Sequence, residues 1–109
     1  LIIEDFFEYN YNSCVTAANL ARLLHVSVRQ LNRIMKDNFH TTFKQKMLEK
    51  RMEISKSLLK NTDIPVKEIS QRVGYDSESN FSMIFKKKNH CTPSEYRRKH
   101  RANRDPSTS

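Results

Sequence analysis

The chain has 109 residues, which is enough for one domain with a modest core but excludes two large independent domains. One glycine, no tryptophan and no alternating run of β-branched residues argue against a sheet and favour an all-helical fold. The formal net charge is +8, and no signal peptide or apolar run of about 18 residues is visible, so we expect a soluble cytoplasmic protein.

The positive charge lies mainly at one end of the chain. Residues 1–20 contain three acids and no Lys or Arg, whereas residues 86–104 contain eight Lys or Arg and a single acid, Glu95. A basic half of this kind suits a polyanion such as nucleic acid, although a solvated, solubilising surface explains the charge alone equally well.

The first predicted elements are an amphipathic helix over residues 1–11 and a pair of helices over residues 17–24 and 27–38. Thr16 and Ser27 are suited to cap the two helices of the pair. The apolar residues expected to pack this unit together recur at helical spacing: Ile2, Ile3, Phe6, Phe7, Leu20, Ala21, Leu24, Val26, Leu31 and Ile34. On the opposite stripe of the second helix lie the residues that we expect to be exposed: Val28, Arg29, Asn32, Arg33 and Lys36.

A long helix is predicted next, beginning after Thr41 or Thr42 and ending at the Asn61-Thr62-Asp63 stop. A helix of about 19 residues at ~1.5 Å per residue is roughly 28 Å long. Such a helix is a stiff connector between the first pair of helices and the part of the chain that follows.

Residues 66–98 predict a second pair of helices and then a short third helix. Large apolar residues lie at helical spacing on either side of the Gly74-Tyr75-Asp76-Ser77 break: Ile69, Val73, Phe81, Ile84 and Phe85. The stripe opposite Phe81 consists of Glu78, Ser79, Ser82, Met83 and Lys86. The segment Thr92-Pro93-Ser94-Glu95 is typical of a capping box with proline at the first helical position.

The two pairs of helices repeat each other at a spacing of fifty residues. Ser27, Leu31, Ile34, Lys36, His40 and Thr42 fall on Ser77, Phe81, Ile84, Lys86, His90 and Thr92. A repeat of this period indicates two copies of one supersecondary unit, here a helix-turn-helix. We expect His40 and His90 to form left-handed helix caps. A metal site or pH sensor is the alternative, but His90 and Cys91 lack chelating spacing and a third ligand.

The segment VKEISQRVGYDSESNFSMIFKK, followed by TPSEYRR, resembles the signature of the AraC/XylS family of bacterial transcription regulators. The resemblance implies an all-α fold of about seven helices, with two helix-turn-helix subdomains joined by a long connecting helix. We expect the first subdomain to occupy residues 1–61, the second to occupy residues 62–101, and a disordered tail to occupy residues 102–109. The implied partner is double-stranded promoter or operator DNA, with no cofactor, no metal and no catalysis.

The resemblance also implies a larger regulator. Because residue 1 is leucine rather than methionine, we expect that the chain was cut from a longer protein with an N-terminal sensing or dimerisation domain. RNA polymerase is a further expected partner, and activation of transcription is expected rather than repression.

The predicted DNA contacts lie on the second helix of each pair. Arginine can bridge guanine O6 and N7, asparagine can pair with adenine N6 and N7, and lysine suits phosphate. The full predicted set is Ser27, Arg29, Asn32, Arg33, Lys36, Glu78, Ser79, Ser82, Met83 and Lys86. Met83 stands where the family often has arginine, and this departure argues against guanine readout by the second unit. Glu78 can accept from cytosine N4, and Met83 can pack on a thymine methyl; the alternative for Met83 is an exposed thioether without a DNA contact. This asymmetry leads to the hypothesis that the first unit supplies most of the base-specific energy.

The length of the connecting helix supports readout of DNA by both units. Successive major grooves on one face of DNA recur every ~34 Å, so a rod of roughly 28 Å can place two readers in adjacent major-groove segments. The slight shortfall predicts that the DNA bends or that one unit seats imperfectly. The alternative function is a tandem helix-turn-helix used for DNA architecture or recombination, with weak sequence preference. An enzyme is disfavoured because the chain has no glycine-rich phosphate loop or nucleophile motif.

Overall fold

In the computed structural model residues 2–104 are described, with side chains through Arg101, and every regular element among them is an α-helix. The helices are α1 (Ile2–Asn10), α2 (Ala17–Leu23), α3 (Val28–Phe39), α4 (Phe43–Asn61), α5 (Val66–Arg72), α6 (Glu78–Asn89) and α7 (Pro93–Arg104). This confirms the all-α prediction. Helix α7 continues through Arg104, past the residue at which the tail was expected to begin, and residues 105–109 lie outside the described part of the chain.

The chain divides into two compact units inside α4, one ending at Arg51 and the other beginning at Met52. The sequence placed this division after residue 61, at the end of the connecting helix. The reason for the difference is that α4 contributes to both cores: Met47 is buried in the first unit, whereas Met52 and Leu59 are buried in the second.

The core of the first unit is built from α1, the helix pair α2 and α3, and the beginning of α4. Its buried residues are Ile3, Phe6, Phe7, Leu20, Ala21, Leu31, Met35 and Met47. The rings of Phe7 and Phe43 lie 5.0 Å apart between centroids, and Phe6 packs beside them. Leu24, Val26 and Ile34 are partly buried against this cluster, as predicted. Ile2 is the exception: it lies on the outer stripe of α1 and is 57% exposed.

The core of the second unit is organised around two phenylalanines of α6. Phe81 and Phe85 are fully buried, with ring centroids 5.8 Å apart, and they contact the rings of Tyr75 and Tyr96 respectively. Ile69 and Val73 of the α5 region complete this side of the core. The predicted apolar residues of the second helix pair are therefore placed as the spacing indicated, with Ile84 half-buried.

The structure reproduces the fifty-residue repeat at both ends of α3 and α6. The hydroxyl of Ser27 accepts from the Gln30 N–H at 3.0 Å, and that of Ser77 accepts from the Asn80 N–H at 3.1 Å. At the other ends His40 and His90 are left-handed, with φ of 55° and 67°. The predicted left-handed caps are confirmed. Both helices are therefore held to the same twelve-residue length by the same devices.

The backbone also shows how the two turns are made. Gly74 has φ of 96° in the second turn, a positive value that glycine adopts without steric cost. His25 takes φ of 58° in the first turn. Of the two candidate caps of α4, Thr42 is the one used, because its hydroxyl accepts from the Gln45 N–H at 3.1 Å.

Candidate nucleic-acid interface

The candidate interface of the first unit is the outer stripe of α3. Leu31 and Met35 are fully buried on the inner side, which fixes the rotation of the helix about its axis. The opposite stripe is exposed as predicted; we call its residues the first reading face, and they are Val28, Arg29, Asn32, Arg33 and Lys36.

The cations of the first reading face are not used inside the protein. Arg29, Arg33 and Lys36 form no side-chain hydrogen bond or ion pair with any described residue. Three positive charges on one stripe repel each other, so an anion that bridges them is favoured. Their guanidinium and ammonium donors are available to a ligand that presents planar acceptors or phosphate oxygens.

Ser27 has a structural task as well as a predicted DNA contact. Its hydroxyl oxygen accepts from Gln30 and its backbone N–H donates to the Gln30 side chain at 2.8 Å, which completes a capping box. The hydroxyl hydrogen remains free to donate to an acceptor outside the protein.

The corresponding stripe of α6, the second reading face, has a different chemistry. Glu78, Ser79, Met83 and Lys86 are exposed, whereas Ser82 is half-buried. Met83 is 64% exposed, which is unusual for a large apolar side chain. The face carries one negative and one positive charge, so it lacks the cationic surplus of the first.

Lys86 interacts electrostatically with the capping box of α7. Glu95 accepts from the Thr92 N–H at 2.8 Å, and Thr92 accepts from the Glu95 N–H at 3.1 Å, so the predicted box is confirmed. The hydrogen bonds from Thr92 are the main cause that lowers the pKa of the Glu95 carboxyl, and Lys86 and Arg98 add to the effect. Lys86 therefore lies close enough to the start of α7 for its charge to act on Glu95.

Two exposed cations that follow Lys86, namely Lys87 and Lys88, were not among the predicted DNA contacts. Lys86, Lys87 and Lys88 fill the last turn of α6, whereas the corresponding turn of α3 contains Lys36 and the acid Asp37. The positive charge of α6 is therefore at its C-terminal end. The run of three lysines in the sequence was a sufficient signal for this feature.

Several other cations are committed to the fold. Lys50 forms an ion pair with Glu8 at 3.0 Å, and the Lys46 ammonium lies 4.9 Å from the centroid of the Phe39 ring. Arg51 and Arg97 donate to backbone carbonyls. Periodicity along α4 and α7 could not separate Lys50, Arg51 and Arg97 from solvated side chains, because their partners are distant in the sequence.

Within the described residues there is no group of three or more His, Cys, Asp or Glu that could hold a metal ion. None of the helices described has the combination of length and apolarity that a bilayer-spanning segment needs. Cys14 and Cys91 are free thiols.

Comparison with known proteins gives a consistent result. A family model described as a helix-turn-helix domain matches residues 20–99. The HTH-type transcriptional regulator YijO of Escherichia coli strain K12 is 30% identical over 98 residues, which are 90% of this chain and 35% of that protein. The C-terminal domain of AraT, a response regulator from Geobacillus stearothermophilus, is 34% identical with a TM-score of 0.82, over 90% of this chain and 81% of that one.

A solved complex with DNA has the same fold. The DNA-binding domain of AdpA, a global transcriptional factor solved with a target DNA, superposes with a TM-score of 0.87 over 97% of this chain and 95% of that one. At 22% identity this likeness concerns the fold alone. The chain spans only 13% to 35% of the length of the first three curated relatives that it matches.

Proposed function

The chain belongs to the AraC-type family of helix-turn-helix transcription regulators and forms the DNA-binding domain of such a regulator, and we propose that it places α3 and α6 in successive segments of the major groove. The observation that carries the proposal is the first reading face. It presents two arginines, one lysine and one amide on a single stripe, and the three cations have no partner among the described residues.

We assign base readout mainly to the first unit. Arg29 and Arg33 each have the planar fork that bridges guanine O6 and N7, and Asn32 has the donor and acceptor that match adenine. Lys36 lies two turns from the start of α3 and is assigned to a phosphate, because the N-terminal residues of a recognition helix are those that reach base edges.

The second unit is assigned a smaller share of base readout. Glu78 can accept from cytosine N4, and Met83 can pack on a thymine methyl, but neither forms a bidentate contact to guanine. Ser79, Ser82 and Lys86 are assigned to supporting contacts with the sugar-phosphate backbone. The three lysines at the end of α6 favour phosphate contacts that carry no sequence information directly.

The larger regulator is proposed from the family. We propose that the domain operates in the bacterial cytoplasm, together with an N-terminal sensing or dimerisation domain, and activates transcription through contacts with RNA polymerase. We assign no catalytic role, cofactor or metal to this domain.

The test begins with selection of DNA sequences by the purified chain from a random duplex library. We expect a selected site with two half-sites about one helical turn apart, bound at least about a thousandfold more tightly than scrambled DNA at the same salt concentration. A ratio near one would contradict sequence-specific regulation and would indicate an architectural protein instead.

Single substitutions then test the assignment of residues. Arg33→Ala is expected to weaken binding to the selected site by ~1 to 3 kcal/mol and to relax the preference at one base position. Met83→Ala is expected to have a smaller effect. Lys44→Ala, on an exposed cation of α4, is the matched control for loss of positive charge and should lower affinity equally for all sequences. A larger effect of Met83→Ala than of Arg33→Ala would refute the assignment.

A further inference from the structure

In each unit an arginine of the last helix binds the loop that leads into the helix-turn-helix. In the first unit this is the α1–α2 loop, residues 11–16. The Nε of Arg51 in α4 donates to the Tyr11 carbonyl at 2.6 Å, and its Nη2 donates to the Ser13 carbonyl at 3.2 Å. One guanidinium thus spans the chain between the end of α1 and the start of α2.

The second unit has a related arrangement at the α4–α5 loop, residues 62–65, where the guanidinium binds one carbonyl and one carboxylate. Arg101 in α7 donates to the Thr62 carbonyl and forms an ion pair with Asp63. Its Nε is buried and has no hydrogen-bond partner among the described residues. Arg101 follows Arg51 by fifty residues, which is the period of the repeat, and both are the ninth residue of their helix.

The location of these contacts matters for the reading faces. The loop determines where α2 or α5 begins, and α2 packs against α3 just as α5 packs against α6. The arginine therefore links the last helix of the unit, α4 or α7, to the loop from which the helix pair begins, and so it affects the orientation of that pair. A direct hydrophobic contact could hold the same elements together, but it would not fix hydrogen-bonding oxygens of the loop at defined positions.

We propose that Arg51 and Arg101 are positioning residues for DNA recognition, each of which sets the tilt of the reading face in its own unit. This inference rests on the proposed function, because it assumes that α3 and α6 read separate half-sites. The effect at Arg101 is smaller than at Arg51, since Arg97 also donates to the Thr62 and Ile64 carbonyls of the α4–α5 loop.

The test uses discrimination between sequences rather than affinity alone. A lower folded fraction weakens binding to every sequence by the same factor and leaves the ratio of Kd values unchanged. A tilted reading face instead lowers the ratio for base changes in one half-site. The Kd is therefore measured for three duplexes. One is the selected duplex, the second has a single base changed in the half-site read by α3, and the third has a single base changed in the half-site read by α6.

A well-placed side chain provides roughly 5- to 150-fold discrimination between bases, and Arg51→Met is expected to reduce this discrimination at least about threefold in the half-site read by α3. Discrimination in the other half-site should remain within about twofold. Arg101→Met should show the reverse pattern with a smaller loss. Arg51→Lys keeps the charge but cannot form the two fixed bonds, so it should reproduce the loss and carries the test if Arg51→Met does not fold.

Lys44→Met and Lys99→Met are the matched controls, since each removes an exposed cation from the same helix as Arg51 or Arg101. They should leave both ratios unchanged. Equal ratios in wild type, Arg51→Met and Arg51→Lys would overturn the inference and leave the arginines with a purely stabilising role. Failure of the wild-type chain to discriminate at either half-site would instead overturn the proposed function.

Discussion

Arg97 offers a sharp test of how the second unit is held together. Its Nε donates to the Leu59 carbonyl at 3.1 Å, and its Nη2 donates to the carbonyls of Thr62 at 3.2 Å and Ile64 at 2.6 Å. These carbonyls lie at the C-terminal end of α4 and just beyond it, where the helix has no further N–H groups to satisfy them. Desolvation is the main cause that lowers the pKa of Arg97, followed by the nearby charge of Arg101.

Arg97→Met removes the guanidinium but keeps an apolar stem in place. The Thr62 carbonyl retains a bond from Arg101, so two carbonyls, those of Leu59 and Ile64, lose their charged donor. A hydrogen bond to a charged group contributes about 1.5–3 kcal/mol, and water can replace part of it at a half-buried site. We therefore expect the free energy of unfolding to fall by about 3 kcal/mol, which corresponds to a decrease in Tm of about 12 °C for a domain of this size.

The assay is urea denaturation followed by circular dichroism, with thermal unfolding as a second measurement. Arg98→Met is the matched control, because Arg98 is the adjacent exposed arginine of α7 and its loss should change stability by no more than about 0.5 kcal/mol. Either of two results would refute this role of Arg97: a free energy of unfolding of Arg97→Met within about 0.5 kcal/mol of wild type, or a larger loss of free energy in Arg98→Met than in Arg97→Met.

Two further predictions concern the helix caps. Because the folded-state pKa of Glu95 is lowered, its contribution to stability is fully present above the ordinary value of 4.5 and is lost as the pH falls through the depressed value. Glu95→Gln should therefore flatten the acid limb of the stability curve, measured as Tm at a series of pH values; an unchanged limb would contradict the assigned cause. His90→Val should lower the free energy of unfolding by about 1–2 kcal/mol, because a β-branched residue is strained at φ of 67°, whereas His90→Gly should be tolerated. Equal losses in the two His90 variants, measured by urea denaturation, would point to a role for the imidazole itself.

Local patterns in the sequence predicted the features that depend on local structure. The rotation of α3 follows from the spacing of Leu31 and Ile34, and its ends follow from Ser27 and His40, all within one helix or its caps. The exposed reading faces could be predicted for the same reason. The location of the unit boundary could not, because α4 is continuous through Arg51 and Met52 and carries no helix-breaking residue there.

The roles of Arg51, Arg97 and Arg101 could not be predicted from periodicity. Their acceptors are carbonyls 33 to 40 residues away in the sequence, so only the folded chain brings donor and acceptor together. From the sequence, a cation on a helix is predicted to be solvated unless a partner lies within one or two turns of it on the same helix. The one available signal was the fifty-residue spacing of Arg51 and Arg101, which extends the repeat beyond the helix-turn-helix itself.

The repeat also distinguishes residues that build a unit from residues that we propose to read DNA. Positions that cap α3 and α6 are identical in the two copies: serine at the start of each helix and histidine at the end. In contrast, four outward positions carry a different residue in each copy. They are Val28, Arg29, Asn32 and Arg33 in the first copy, and Glu78, Ser79, Ser82 and Met83 at the corresponding positions of the second. Two copies of one scaffold with unlike reading faces require half-sites of unlike sequence, since each face matches a different pattern of base edges. On the proposed function, the operator is therefore asymmetric, and the domain has one preferred orientation on it.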